Sequence, residues 1–207
     1  MADEPPSLFS KSPEAWLAEV TRSEEDGELF RAYDIAMQGL IEHPDALALK
    51  HRAVLCLAST GATRQAMEKF AVLGLDGAAA TAPSRRLRMD IASLKARLAK
   101  DDALSRSGAE RQSQLSEAAR QYQAIYAAEA AAANPEAYYP GTNAASLFLL
   151  AGNHHVATVL AGTVLQLLAS RPRQNGAAIT SASARWRHCS CSAGSTRRGS
   201  GWPPRAG

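Results

Sequence analysis

The stretch GELFRAYDIAMQGLIEHPDALALKHRAVLCLASTGATRQAMEKF, residues 27–70, decides the fold because it contains one pattern twice, 34 positions apart. In each copy a glycine ends one helix, and a small residue five positions later lets the next helix pack closely. The copies place Gly27 with Ala32 and Gly61 with Ala66. A pair of helices cannot bury its apolar face alone, so we expect successive pairs to stack on one another.

Two further features extend this pattern along the chain. Pro44 lies at the boundary between the two copies, and Gly152 with Ala157 repeats the five-residue offset. Helix pairs of this period resemble tetratricopeptide repeats. The resemblance implies an all-α, right-handed solenoid whose shared concave surface binds a peptide, a partner domain or a small ligand and rarely supplies chemistry.

Composition also favours helices as far as Ser170. Ala, Leu, Glu, Arg and Gln dominate, β-branched residues are scarce, and no stretch alternates as a strand would. We expect 74–83 to be a linker or a long turn, YYPGTN at 138–143 to be a turn, and the acidic run 24–26 to open a helix. The predicted helices are 13–22, 25–42, 46–59, 62–73, 85–100, 109–132, 143–151 and 154–169.

Two segments are more specific than the repeat, namely ASLKARLAKDDAL at 92–104 and YYPGTNAASLFLLAGN at 138–153. Their order and spacing resemble the TRAFs-binding region of the MAP kinase kinase kinases known as apoptosis signal-regulating kinases. They equally resemble its bacterial relatives, the tetratricopeptide-repeat sensor domains. The resemblance covers roughly residues 44–170, with Thr142 in place of the usual Ile. The matching residues are Arg97, Lys100, Asp101, Tyr138, Tyr139, Pro140, Gly141, Asn143, Ala144 and Ala145.

The resemblance implies a regulatory, non-catalytic sensor or scaffold module that binds a protein partner or a small ligand, anions included, in a signalling context. The candidate binding residues are Arg97, Lys100, Asp101, Tyr138, Tyr139, Pro140, Gly141 and Asn143. For the second segment two interpretations stay open: it fixes a helix–helix turn, or it binds directly, with backbone N–H groups suited to an anion. The first segment either forms a basic binding spot with the four other cations of residues 85–95 or presents a solvated face with local ion pairs.

Motifs for catalysis and cofactor binding are missing from the sequence. There is no Gly-x-Ser-x-Gly, no phosphate-cradling glycine-rich loop and no His-Glu-x-x-His. The run HCSC at 188–191 falls short of the four ligands of a tetrahedral metal site, and the histidines at 154–155 are interpreted as helix-surface residues. Cys56, in the apolar run AVLCLA, is interpreted as a small buried hydrophobe. We therefore expect a protein that is not an enzyme and uses no cofactor or metal.

Charge divides the chain at about residue 170. Residues 171–207 contain seven Arg and no Lys, Asp or Glu, which leaves 16 basic against 20 acidic side chains in the first 170. The alternative function, a nucleic-acid-associated protein, therefore depends on this tail alone. The tail is interpreted in three ways: a product of a high-GC coding region read in the wrong frame, a plain disordered tail, or a functional basic arm. In the first case the repeat array is cut short, and the helix at 154–169 exposes an apolar face through which the protein self-associates.

The N-terminal stretch MADEPPSLFSKSPEAW is acidic and Pro-rich and lacks the basic and apolar regions of a secretory signal. No run approaches the roughly 18 uninterrupted apolar residues that a membrane span needs. We therefore expect a cytoplasmic protein with no membrane partner. It is divided into a flexible segment at 1–12, a helical-repeat domain at 13–170 and a basic tail at 171–207.

Overall fold

The first helix begins at Pro13 because the residue before it is an effective cap. Ser12 Oγ accepts a hydrogen bond from the N–H of Ala15 at 3.2 Å, and Pro13 fills the first helical position, where an N–H has no acceptor within the helix. The computed structural model describes residues 11–170, and every regular element within that range is helical. The helices are α1 (Pro13–Glu25), α2 (Leu29–Glu42), α3 (Leu47–Ser59), α4 (Thr63–Val72), α5 (Leu75–Ala78), α6 (Arg85–Leu104), α7 (Gly108–Ala131), α8 (Tyr138–Leu150) and α9 (His154–Ala169), with a 3-10 turn at Pro135–Ala137.

These helices pack with their neighbours in chain order. The pairs α1–α2, α3–α4, α6–α7 and α8–α9 each form an α-hairpin, and the second helix of each pair packs on the first helix of the next. The first helices α1, α3 and α6 also contact one another in succession. The predicted all-α solenoid of helix pairs is therefore confirmed for the described part of the chain.

Three apolar clusters follow one another along the stack. Trp16 and Leu49 belong to the cluster between α1, α2 and α3. Val54 and Leu94 belong to the next, which reaches from α3 to α6, and Tyr122 lies in the third, between α6 and α9. Burying a side chain of this size contributes about 1.5–3 kcal/mol. Because each cluster draws on adjacent pairs, the pairs stabilise one another.

The glycine–alanine offset has the structural role that the sequence predicts. The three glycines are Gly27, Gly61 and Gly152, with φ of 79°, 82° and 83°. Each lies in the left-handed region, which glycine adopts without steric cost, and each reverses the chain between the two helices of a pair. The alanines five positions later are Ala32, Ala66 and Ala157, all buried. A methyl side chain at these positions lets the two helices approach closely.

Two predicted irregular segments are partly or wholly helical. The expected linker at 74–83 contains α5, whose Leu75 is fully buried. The expected turn at 138–143 is wrong, because these residues form the start of α8. The reversal occurs earlier, where Ala133 has a φ of 52°. Pro140 is tolerated since it lies in the first turn of the helix, where its missing N–H costs no intrahelical hydrogen bond.

Several predictions lie outside the described residues. These are the interpretations of the basic tail at 171–207 and of most of the segment at 1–12. Within residues 11–170, no helix has both the length and the apolar character required to cross a membrane.

Candidate binding site

Arg97, the first candidate residue of the 92–104 segment, is buried where α6 meets the end of α3. Its Nη2 donates to the carbonyl oxygen of Ala58 and its Nη1 to Ser59 Oγ, both at 3.4 Å. The last carbonyls of a helix carry partial negative charge, so a guanidinium at this position stabilises the C-terminal end of α3. Arg97 therefore holds two successive pairs of the solenoid together.

Asp101 and Lys100 complete an ion cluster with Arg97. The Arg97 Nε lies 3.5 Å from Asp101 Oδ2, and Lys100 Nζ donates to Asp101 Oδ1. The side chains of Arg97 and Asp101 are 6% and 8% exposed, whereas that of Lys100 is 18% exposed. The cluster contains two cations and one carboxylate, and Lys100 is its most accessible member.

The other cations of α6 point toward different neighbours. Lys95 Nζ lies 2.6 Å from Asp76 of α5, Arg85 pairs with the end of α7, and Arg86 pairs within α6 and with the connection before α8. Arg88 Nη1 donates to a backbone carbonyl oxygen of the segment that precedes α6. The four cations therefore have separate local partners, and the structure does not gather them into one basic spot around Arg97 and Lys100.

The second candidate segment, at the start of α8, combines accessible and buried residues. Tyr138, Tyr139 and Asn143 are half-buried, whereas Pro140 and Gly141 are buried. The Asn143 Nδ2 donates to the carbonyl oxygen of Tyr139 at 2.9 Å, so its amide is oriented within the helix. The segment therefore presents two tyrosines and one amide beside the tightly packed residues in the first turn of α8.

Gly141 is buried because α7, α8 and α9 approach one another closely at this point. A Cβ atom built on Gly141 would lie 2.5 Å from Val164 Cγ2 and 2.7 Å from Tyr126 Cδ2. These separations are shorter than van der Waals contact, so only glycine fits. The glycine of the motif thus has a packing role, and it fixes the position of the two tyrosines that precede it.

The first turn of α8 and the ion cluster lie toward opposite ends of α6. Arg86 Nη1 is 3.8 Å from Glu136 Oε1, which places the connection before α8 beside the start of α6. Lys100 lies about 21 Å further along α6 at the rise of an α-helix. The structure therefore brings the residues of each segment together, while the ion cluster and the first turn of α8 occupy separate positions.

Sequence reasoning missed a buried polar cluster around Glu24. The prediction that the acidic run at 24–26 opens a helix is wrong, because Glu24 lies in the last turn of α1. Glu24 Oε2 pairs with Arg52 Nη1 at 2.6 Å, and Cys56 Sγ donates to Glu24 Oε1 at 3.4 Å. Burial, followed by the charge of Glu24, raises the pKa of the Cys56 thiol. Cys56 is therefore a buried thiol, as the sequence predicts, although its polar partner was not foreseen.

A second missed cluster surrounds Glu129, near the end of α7. Glu129 is buried, and its Oε2 accepts from Arg85 Nε at 2.9 Å and from Asn134 Nδ2 at 2.6 Å. The only signal in the sequence is an isolated acid in the Ala-rich run AIYAAEAAAA, at 124–133. The cluster joins α6, α7 and the connection that leads to α8, so it positions the candidate tyrosines indirectly.

The candidate residues are absent from the lining of one recess on the described surface. That recess, of about 420 Å³, lies between α2, α3 and α4 and is bordered by Tyr33, Leu57 and Lys69, among others. Within residues 11–170, no three His, Cys, Asp or Glu side chains lie close enough to hold a metal ion.

The stacked α-hairpins and their glycine–alanine spacing define a helical-repeat protein of the tetratricopeptide type. The family model Tetratricopeptide Repeats-Sensor matches residues 28–149, more than half of the chain. The chain therefore belongs to this family, and the resemblance to sensor domains is confirmed. The matched range contains the first candidate segment and every candidate binding residue of the second, which itself extends beyond the match to residue 153. No curated protein and no solved structure matches the chain.

Proposed function

We propose that this chain is a non-catalytic sensor or scaffold module that binds a protein partner or a small ligand in a cytoplasmic signalling context. Family membership supports the general class, because tetratricopeptide-type repeats usually mediate protein interactions and are generally not catalytic. The finer role is inferred from the start of α8 and from the ion cluster of α6.

One observation carries the proposal. Tyr138 and Tyr139 are half-buried at the start of a helix whose next two residues, Pro140 and Gly141, are fixed by close packing. Tyrosine supplies a large contact surface with one polar group, and it loses little conformational entropy on binding because its side chain has only about two rotatable bonds. Rigid, partly accessible aromatic side chains of this kind are typical of binding hot spots.

The candidate residues then divide by accessibility. Lys100, Tyr138, Tyr139 and Asn143 retain exposed surface and are proposed to contact the partner or ligand. The buried residues Arg97, Asp101, Pro140 and Gly141 are proposed to hold those contacts in place. Lys100 supplies a cation at the edge of its cluster, which suits an acidic or anionic group.

The test compares capture of a partner by wild type and by matched variants. Tagged protein carrying Lys100→Ala or Tyr139→Ala is used for pull-down and for a ligand screen by thermal shift. The controls are Lys95→Ala, an exposed lysine of the same helix, and Tyr33→Ala, a half-buried tyrosine on α2. We expect the two site variants to bind at least about tenfold more weakly, a loss of about 1.4 kcal/mol, and the controls to bind as wild type does. Equal binding by all five proteins would show that the site is placed wrongly.

The composition of the tail favours a second candidate, nucleic-acid association. Its seven Arg include the two that flank Trp186 in the sequence, and Arg and Trp together suit phosphate contact and base stacking. If the tail binds nucleic acid, the affinity falls steeply with salt and disappears when residues 171–207 are deleted. Salt-independent binding that survives the deletion would reject this candidate.

A further inference from the structure

The outer side of α9, the last described helix, is apolar and exposed. Val159 is 55% and Leu165 is 65% exposed. The exposed apolar side chains of α8 and α9, which we name the terminal surface, are Leu149, Leu150, Val156, Val159, Leu165 and Leu168. In the preceding pairs, the first helix of the next pair packs against the second helix. Within residues 11–170, no such helix follows α9.

The terminal surface is also free of charge. Residues 137–170 contain no Asp, Glu, Lys or Arg. Two copies of this surface therefore meet without burying a charged group and without bringing like charges together, either of which would oppose association. A strongly charged partner gains no ion pair here.

Gly162, on the same side of α9, is a second observation. A Cβ atom built on it would meet nothing within 4 Å, whereas one built on Gly39 or Gly141 would clash with a neighbouring helix. A glycine inside a helix is less favourable than an alanine. Because the space beside Gly162 is open, no neighbour within the described chain requires a glycine at this position. The glycine between Val159 and Leu165 leaves room for close approach of a helix from outside the chain.

The opposite end of the stack does not complement this surface. The exposed side of α1 includes Glu14, Arg22 and Glu25. A head-to-tail contact would therefore cover these charges with apolar groups that offer no hydrogen bond, at a cost in desolvation. A contact between two identical terminal surfaces avoids that cost and closes as a two-fold dimer.

We propose that the occupant of the terminal surface is a second copy of this chain, packed α9 against α9 about a two-fold axis with Gly162 at the close contact. The proposal does not depend on the partner or ligand of the candidate binding site. Its readout is the mass of the full-length protein in solution.

The experiment measures that mass by sedimentation or light scattering over a range of concentrations. For wild type we expect a concentration-dependent rise from the monomer mass of 21.9 kDa to twice that value, with no larger species. The double variants Val159→Glu/Leu165→Glu and Val159→Lys/Leu165→Lys each place like charges across the interface and should weaken dimerisation by about 100-fold or more. An equimolar mixture of the two should recover the dimer, because each Glu then faces Lys wherever the axis lies.

The matched control is Ile41→Glu/Val72→Glu, which adds two charges at exposed apolar positions on α2 and α4 and should dimerise as wild type does. Gly162→Ala keeps the surface uncharged, and we expect a stable fold with at least tenfold weaker dimerisation. It remains informative if the charged variants fail to fold. A wild-type monomer at every concentration, as would follow if another part of the chain or only a different protein covered the surface, overturns the proposal. Growth beyond two copies would also overturn it, and so would a Gly162→Ala dimer whose dissociation constant equals that of wild type.

Discussion

The guanidinium of Arg97 lies 3.5 Å from the carboxylate of Asp101, one turn further along α6, and both side chains are more than nine-tenths buried. Buried charges are expensive to remove from water, and they are retained only where partners satisfy them. Here Arg97 also donates to the end of α3, so the pair lies at the contact between successive units of the stack. The motif residues of α6 therefore support the fold, whatever Lys100 binds.

Removing the carboxylate at 101 should be costly. Asp101→Asn leaves Arg97 and Lys100 without their shared counter-charge, and we expect the free energy of unfolding to fall by about 3–5 kcal/mol. The control is Asp102→Asn, because Asp102 pairs with Arg106 at 3.3 Å on the surface and contributes about 0–1 kcal/mol. Urea unfolding followed by circular dichroism measures both. Equal, small losses in the two variants would mean that the buried cluster is not structural.

Two helical glycines should respond in opposite directions to alanine. Gly141→Ala places a methyl group 2.5 Å from Val164 Cγ2, and we expect a loss of about 1–3 kcal/mol from overpacking. Gly162→Ala adds a methyl group in open space and should stabilise the monomer by about 0.5–1 kcal/mol. Thermal unfolding at low protein concentration, where monomers dominate, compares the two. Equal shifts in melting temperature would contradict the packing at α8.

The pair-and-stack architecture could be predicted from the sequence because its determinants are local. A glycine at a positive φ and a small residue five positions later are both visible in the chain, and Gly27, Gly61 and Gly152 occupy the expected turns. The start of α8 could not be predicted in the same way. A Pro-Gly dipeptide suits both a turn and the first turn of a helix, and the choice depends on the reversal at Ala133.

The surroundings of the candidate residues could not be predicted, because their partners are distant in sequence. Arg97 reaches Ala58, Arg85 reaches Glu129, and neither contact follows from spacing along a single helix. Composition indicates a basic helix. Only the packing of α6 against α3, α4 and α7 shows that its cations have separate local partners.

His51 should make stability depend on pH. Burial and then the nearby charge of Arg52 lower the pKa of His51 to about 4, although it hydrogen-bonds the backbone of Asp90. Below the ordinary value of 6.5 the unfolded chain binds a proton that the folded chain does not, so stability falls as the pH drops from 6.5 toward 4. The total loss is roughly 3 kcal/mol. Above about pH 7 His51 is neutral in both the folded and the unfolded chain, so it adds no pH dependence to the free energy of unfolding.

The effect of His51 is measured as a difference between wild type and variants, because carboxylates titrate in the same pH range and affect all of these proteins. The free energy of unfolding is determined between pH 4 and pH 7.5 for wild type, His51→Gln and His155→Gln. We expect His51→Gln to lose less stability toward low pH than wild type, while His155→Gln, an exposed substitution on α9, follows wild type. Parallel curves for all three proteins would show that His51 is not held in its neutral form.

Cys56 should resist alkylation as long as the chain is folded. The thiolate is the reactive form, and burial together with the charge of Glu24 raises the pKa of the Cys56 thiol. With iodoacetamide at pH 8, we expect the Cys56 peptide to stay unmodified in native buffer and to react fully in guanidinium, as measured by mass spectrometry. Glu24→Gln separates the two causes: burial is the larger one, so Cys56 should remain protected as long as that variant is folded. Rapid native alkylation of wild type would instead place the thiol in contact with solvent, and the packing of α1 against α3 around Glu24 would then be wrong.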